Sequence, residues 1–258
     1  MRKFNTKVIL SVLCFFTITQ TGFAQIKRQY ANNYNGWFAY SGSHKLTDKW
    51  GLHLEIQWRR SNMILDNQQL LTRGGINYYL NSQIYLTAGY CHVLTYPYGA
   101  FAAKSMFPEN RIWEQINFKS NAGIIEINNR LRLEQRYVHS PVLQDNGLFE
   151  PGDATYTNRA RALLRFSVPL KGKAIEDRTW YVSGFNEVFI NFGKNVGYNI
   201  LDQNRAYLGL GYKLPKLGRL EVGYLNQLVL RSDGIKVERN HTVQVSLSSN
   251  IEFRKKKE

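Results

Sequence analysis

Cysteine is nearly missing from this chain. Its 258 residues include two, Cys14 and Cys91. Cys14 falls in a leader-like start, so only Cys91 stays in the mature chain and no disulfide framework is available. The fold must rest on burial and hydrogen bonding. Long apolar runs are missing too. After the first short one, no stretch reaches eighteen consecutive apolar residues, which excludes a helical membrane protein. The mean hydropathy of −0.39 does not exclude a membrane, because barrel strands alternate and averages hide them. Acidic residues are also scarce, with 19 Asp and Glu against 34 Lys and Arg and a net charge of +15. Such a balance often marks nucleic-acid binders, but an exported protein rarely meets nucleic acid, and none is expected as a partner.

The export signal is at the start. Arg2, Lys3 and Lys7 precede a short apolar run over residues 8–16, and Gly22-Phe23-Ala24 supplies the small residues of a cleavage site. Residues 1–24 are therefore expected to be a signal peptide and residues 25–258 a single domain. Cys14 does not suit lipid modification, since Leu13 before it is not small and the apolar run continues past it.

What the chain does have is alternation. Trp50, Leu52, Leu54, Ile56 and Trp58 share one face of an extended stretch, and Gly51, His53, Glu55, Gln57 and Arg59 share the other. The apolar face carries a Trp at each end, where indoles prefer the boundary of hydrocarbon and water. Trp50 to Trp58 spans roughly 26 Å at about 3.3 Å per residue, a length suited to a tilted membrane-crossing strand. Trp50 and Trp58 are thus expected to form part of a lipid-facing girdle. A strand of a soluble sandwich would alternate in the same way, so the remaining segments decide.

They repeat the pattern. In residues 124–138, Ile125, Ile127, Leu131, Leu133 and Tyr137 oppose Glu126, Asn128, Arg130, Arg132, Glu134 and Arg136. In residues 156–170, Ala160, Ala162, Leu164, Phe166 and Val168 oppose Arg159, Arg161, Arg165 and Ser167. Residues 67–79, 203–214 and 241–253 do the same, residues 84–96 less cleanly, and residues 180–192 carry Asn186 and Glu187 near mid-strand. These stretches are longer than soluble strands usually are. Long connections alternate with short ones almost throughout, as in outer-membrane barrels. The expected fold is all-β: an antiparallel up-and-down transmembrane β-barrel in the outer membrane, not a cytoplasmic protein.

The short turns at 46–48, 81–82, 121–123 and 215–218 belong on the periplasmic side, so the strand from Trp37 and the last strand both run inward. Antiparallel closure then asks for one more strand, and residues 26–34 with an Asn35-Gly36 turn are the candidate. Twelve strands are expected, with ten as the alternative.

Several segments resemble the Domain of Unknown Function 2490 family. They are Asn35-Gly36-Trp37-Phe38, Lys49-Trp50 through Arg59-Arg60, Phe107-Pro108-Glu109-Asn110-Arg111-Ile112-Trp113-Glu114-Gln115, residues 130–136, residues 186–193 and Asp202-Gln203-Asn204-Arg205. The resemblance covers essentially the whole mature chain. It implies an outer-membrane β-barrel of a Gram-negative bacterium and carries no assigned chemistry.

The charged face suggests a function. Arg59, Arg73, Arg130, Arg132, Arg136, Arg159, Arg161, Arg165 and Arg205 are expected to line the lumen, with Glu55, Glu134 and Glu187 among them. Guanidinium stays charged and offers a planar fork to carboxylate or phosphate, and rings of Arg favour anions. The leading expectation is a small passive channel leaning to anions, with small anionic solutes as its cargo. The alternative is a structural or interaction barrel whose interior is sealed by ion pairs, since small barrels are filled by side chains. Glu126 and Glu221 project to the same side as those glutamates.

An enzyme acting on lipid is a distant third. His139-Ser140 and His53 with Glu55 do not make a convincing catalytic set. No catalytic residue, cofactor or metal is expected, and Asp145, Glu150 and Asp153 are read as a solvated acidic loop rather than a calcium site. The other expected partners are outer-membrane lipid and the barrel-assembly machinery, the latter because Phe253 ends the last strand. The basic run at residues 254–257 is read as a soluble tail.

Overall fold

Backbone groups that face hydrocarbon have no water to bond, so a sheet in a membrane must close on itself. The computed structural model describes residues 27–253, and their wall strands form a closed barrel. The expected signal peptide and basic tail lie outside the described residues. The wall is built from β1 (Gln29–Lys45), β2 (Trp50–Ser61), β3 (Asp66–Tyr79), β4 (Ile84–Thr95), β5 (Phe107–Ala122) and β6 (Ile125–Val138). It continues with β9 (Thr155–Pro169), β10 (Trp180–Phe192), β11 (Leu201–Leu214), β12 (Gly218–Leu230) and β13 (Lys236–Ser249). Between β6 and β9 the chain makes a small separate hairpin, β7 (Pro141–Leu143) with β8 (Phe149–Pro151). Among the described residues there is no helix.

The all-β barrel is the fold that the alternation implies, but the wall has eleven strands rather than twelve. Asn35-Gly36 does not turn the chain. It lies inside β1, where Gly36 pairs with Arg60 of β2 on one side and Val243 of β13 on the other. A hairpin there would forfeit ladder bonds along both edges. An odd number of up-and-down strands leaves the first and last running the same way. The seam is accordingly parallel, from Gln29 opposite Lys236 to Gly42 opposite Ser249, and every other wall pairing is antiparallel.

One face of each strand points outward and is mostly apolar, with charged exceptions such as Glu114 of β5. In β2, Leu54 is 47% exposed and Ile56 52%, whereas Glu55 between them is 7% exposed. Connections at one end span residues 46–49, 80–83, 123–124, 170–179 and 215–217, and at the other 62–65, 96–106, 139–154, 193–200 and 231–235. The second end holds the two longest loops. Two connections break the simple alternation. Residues 170–179 are long on the short-turn side, and residues 62–65 make a tight turn on the other, with Asn62 and Met63 at positive φ.

Two β-bulges aim extra side chains inward. The register shifts between Arg59 and Arg60 opposite residues 67–69, so that Gln68 and Gln69 both serve the interior. A second shift, between Phe189 and Ile190, adds Asp202 in the same way. These insertions place polar groups that a regular period of two would have turned outward.

Candidate functional site

The interior face is polar and charged, and its cross-strand neighbours create an electrostatic problem. Arg132 of β6 sits opposite Arg161 of β9, and Arg111 of β5 sits opposite Arg136 of β6. Like charges directly across a ladder repel. The chain relieves each pair with a carboxylate. Glu109 takes Arg111 Nε at 2.7 Å and Arg136 Nε at 2.5 Å. Glu134 does more. Its carboxylate lies 2.6 Å from Arg159 Nη2 and 2.7 Å from Arg161 Nη1, with Arg73 at 3.7 Å and Arg111 and Arg132 each at 3.9 Å.

Neighbouring carboxylates extend the cluster. Glu187 accepts from Arg161 at 2.7 Å and Arg130 at 2.6 Å, and Glu55 accepts from Arg73 at 2.5 Å beside His53 at 3.5 Å. Asp202, turned in by its bulge, holds Arg159 Nη1 at 2.7 Å. Aromatic rings fill the gaps. Trp113 lies under Arg132 and Arg73, at 4.7 and 5.3 Å, and Phe189 under Arg161, Arg205 and Arg159. The Glu134 side chain is 0% exposed and that of Arg132 1%. This belt of paired charge forms the waist of the barrel. On its short-turn side a more open group remains, with Arg165 paired to Glu221, which also accepts from Tyr181 Oη at 2.8 Å, and Arg219 paired to Glu126 at 2.7 Å.

On the long-loop side of the waist lies a cavity of about 410 Å³. Its lining includes Arg59, Arg205, Trp37, Glu109, Asp202 and Arg231. Residues 96–106 strap over this end. Tyr98 Oη donates to Glu238 Oε2 at 2.9 Å, Arg231 Nε donates to Glu238 Oε1 at 2.7 Å, and Arg231 Nη2 donates to the carbonyl of Phe101 at 3.2 Å. Burial and the adjoining Glu238 carboxylate push the Tyr98 phenol well above its ordinary pKa.

The structure puts Arg59, Arg73, Arg130, Arg132, Arg136, Arg159, Arg161, Arg165 and Arg205 on the inner face, together with Glu55, Glu134 and Glu187. Most meet in the waist or the cavity above it, while Arg165 sits apart with Glu221. Trp50 and Trp58 point outward and are 50% and 49% exposed, Trp50 against Tyr78 at 4.8 Å and Trp58 against Phe38 at 5.6 Å.

Sequence reasoning missed Glu109, Arg111 and Trp113 as interior residues. Glu109, Arg111, Trp113, Gln115 and Asn117 do alternate, but Glu114 on the outer face masks the pattern. Asp202 and Gln68 carried no signal, because bulges break the period. His139 Nδ1 bonds the carbonyl of Gly152 at 2.9 Å, and His53 packs edge-on to Trp113 at 5.4 Å. Among the described residues no group of three or more His, Cys, Asp or Glu is placed to hold a metal ion, and Asp145, Glu150 and Asp153 do not form one.

An uncharacterized protein of Methylorubrum extorquens is 26% identical over 202 residues, which is 75% of this chain and 77% of that one. Among solved structures, the NanC porin in a rhombohedral crystal form superposes on 78% of this chain and 90% of its own, with a TM-score of 0.44 and 11% identity. The model of the family described as "protein of unknown function (DUF2490)" matches residues 34–238, and the chain belongs to that family.

Proposed function

We propose that this protein is exported through its N-terminal leader to the outer membrane, where it is a β-barrel closed at the waist and open as a cationic cup toward the long loops. In this reading it binds or presents at its loop end and does not conduct passively. The observation that carries it is Glu134, wholly buried with five guanidinium groups within 3.9 Å. Side chains locked in such a lattice cost several kcal/mol to uncouple, so they do not step aside for a diffusing solute. The outward apolar faces, with Trp50 and Trp58 at the two ends of β2, support lipid as the surrounding medium. The reading includes no catalytic step.

A second reading is a narrow anion-leaning channel. The specific observation in its favour is that Arg59 and Arg205 line the cavity and hydrogen-bond to neutral glutamines. Planar-bilayer conductance under a salt gradient decides between the two. No steady current is expected from the intact protein. A steady anion-selective current would replace the closed barrel with the channel, and a cation-selective one would overturn both.

A further inference from the structure

Each waist carboxylate is already engaged, Glu134 and Glu187 by several guanidinium groups and Glu55 by that of Arg73. Two guanidinium groups are left over. Arg59 donates to Gln57 Oε1 at 3.0 Å through Nε and to Gln69 Oε1 at 2.6 Å through Nη1. Arg205 donates to Gln203 Oε1 at 3.0 Å through Nη2, while its Nε is buried with no partner. Amide oxygens satisfy geometry but carry no net charge. Among the described residues neither Arg has a carboxylate within 4.0 Å. Both are nonetheless deeply buried, 6% and 8% exposed, and both lie over the same indole, Trp37, at 4.1 and 5.3 Å. Trp37 is itself fixed by its Nε1 donating to Gln68 Oε1 at 2.7 Å.

A buried cation with no carboxylate in contact is costly, and two set over one ring repel each other as well. A cation–π contact returns about 0.5–2 kcal/mol, less than the several kcal/mol at stake. The missing negative charge has room, because both groups line the 410 Å³ cavity. We propose that the cup holds an oxyanion site between Arg59 and Arg205, and that its ligand is a dianion of the phosphate type, free or as the phosphate group of a small solute. A monocarboxylate would balance one guanidinium, whereas a phosphate presents enough oxygens to accept from both forks. The site rests on the cup of the preceding section but not on the closure of the waist, so conductance tests one and ligand titration the other.

The test uses the full-length protein purified in detergent and titrated with inorganic phosphate, sodium chloride holding ionic strength constant. Calorimetry follows binding, with acetate as the monoanion control. The expected result is saturable phosphate binding, with acetate at least about tenfold weaker. Arg205→Gln should weaken phosphate binding by about tenfold or more. Arg165→Gln, on the far side of the waist, should leave it unchanged. Absence of saturable phosphate binding to the unmodified protein overturns the site, whatever the variants do. Equal binding of acetate and phosphate, or equal loss in both variants, also overturns it. Glycerol phosphate in place of inorganic phosphate then separates the sources, since tighter binding identifies a phosphorylated solute and weaker binding the free ion.

Discussion

The Glu134 carboxylate and the Arg161 guanidinium are 2.7 Å apart across the β6–β9 ladder, and neither is appreciably exposed. Arg161 also reaches Glu187, so one guanidinium ties β6, β9 and β10 together at the middle of the barrel. Removing one partner of such a pair is far worse than removing both, because the survivor stays buried and unpaired. Glu134→Ala is therefore expected to destabilise the barrel by about 3–5 kcal/mol. Glu134→Gln, which keeps the shape and one acceptor, should cost less. Urea unfolding in lipid vesicles, read by tryptophan fluorescence, measures both. An unchanged midpoint for Glu134→Ala would mean that the waist does not hold the wall together.

The wall also depends on close backbone approaches at glycine, as at Gly89 and Gly223. A Cβ added at Gly89 of β4 would lie 2.1 Å from the carbonyl oxygen of Gly74 and 2.7 Å from the Cα of Gly75 in β3. Those are backbone atoms of the paired strand, which cannot rotate away. Gly89→Val should separate β3 from β4 and cost at least about 3 kcal/mol. The measurable outcome is loss of the compact, heat-modifiable species on gel electrophoresis. Gly74→Ala makes a suitable control, since a Cβ there meets nothing within 4 Å.

The wall was legible in the sequence wherever one face was purely apolar. The period of two in Leu52, Leu54 and Ile56, or in Arg130, Arg132 and Glu134, is the direct imprint of a strand between two unlike surroundings. Where both faces carry charge the imprint fades, as in β5 with Glu114 outward and Arg111 inward. Bulges erase it locally, which hid Asp202 and Gln68. The strand count failed for a different reason. Asn35-Gly36 has turn chemistry, but ladder bonds to β2 and β13 on both edges outweigh that local preference. The ion-pair map was not legible at all. Arg130 and Glu187 meet across the intervening strand β9, and Arg165 and Glu221 meet across three strand spacings of the curled wall, so neither pairing follows from the period of a single strand.

Glu114 offers a test of what surrounds the outer face. It projects outward at mid-strand, opposite Ala88 and Leu133, and accepts a hydrogen bond from Gln135 Nε2 at 3.2 Å. In water such a carboxylate is harmless. Within hydrocarbon it is a liability of order 1 kcal/mol or more, depending on depth. Glu114→Leu is expected to raise the unfolding midpoint in lipid vesicles. No gain, or a loss, would argue that this face meets water or a protein partner rather than lipid.

The strap over the cup has its own pH signature. Tyr98 donates to Glu238, and the raised pKa of its phenol, caused by burial and then by that carboxylate, means that the docked strap holds the neutral form. When the strap lifts, the phenol regains an ordinary pKa near 10.0. The docked state thus binds the proton more tightly than the open one. Its advantage is complete below pH 10 or so and is lost as pH rises further. Cleavage within residues 96–106 by an alkaline-tolerant protease should be slow and constant from neutral pH to about 10, then accelerate. Tyr98→Phe removes both the hydrogen bond and the titration. It should be cut about tenfold or more faster at neutral pH, in keeping with about 1.5–3 kcal/mol for a hydrogen bond to a charged group, and its alkaline rise should flatten. A variant with the parent's rate and profile would show that the Tyr98–Glu238 contact does not keep the strap down.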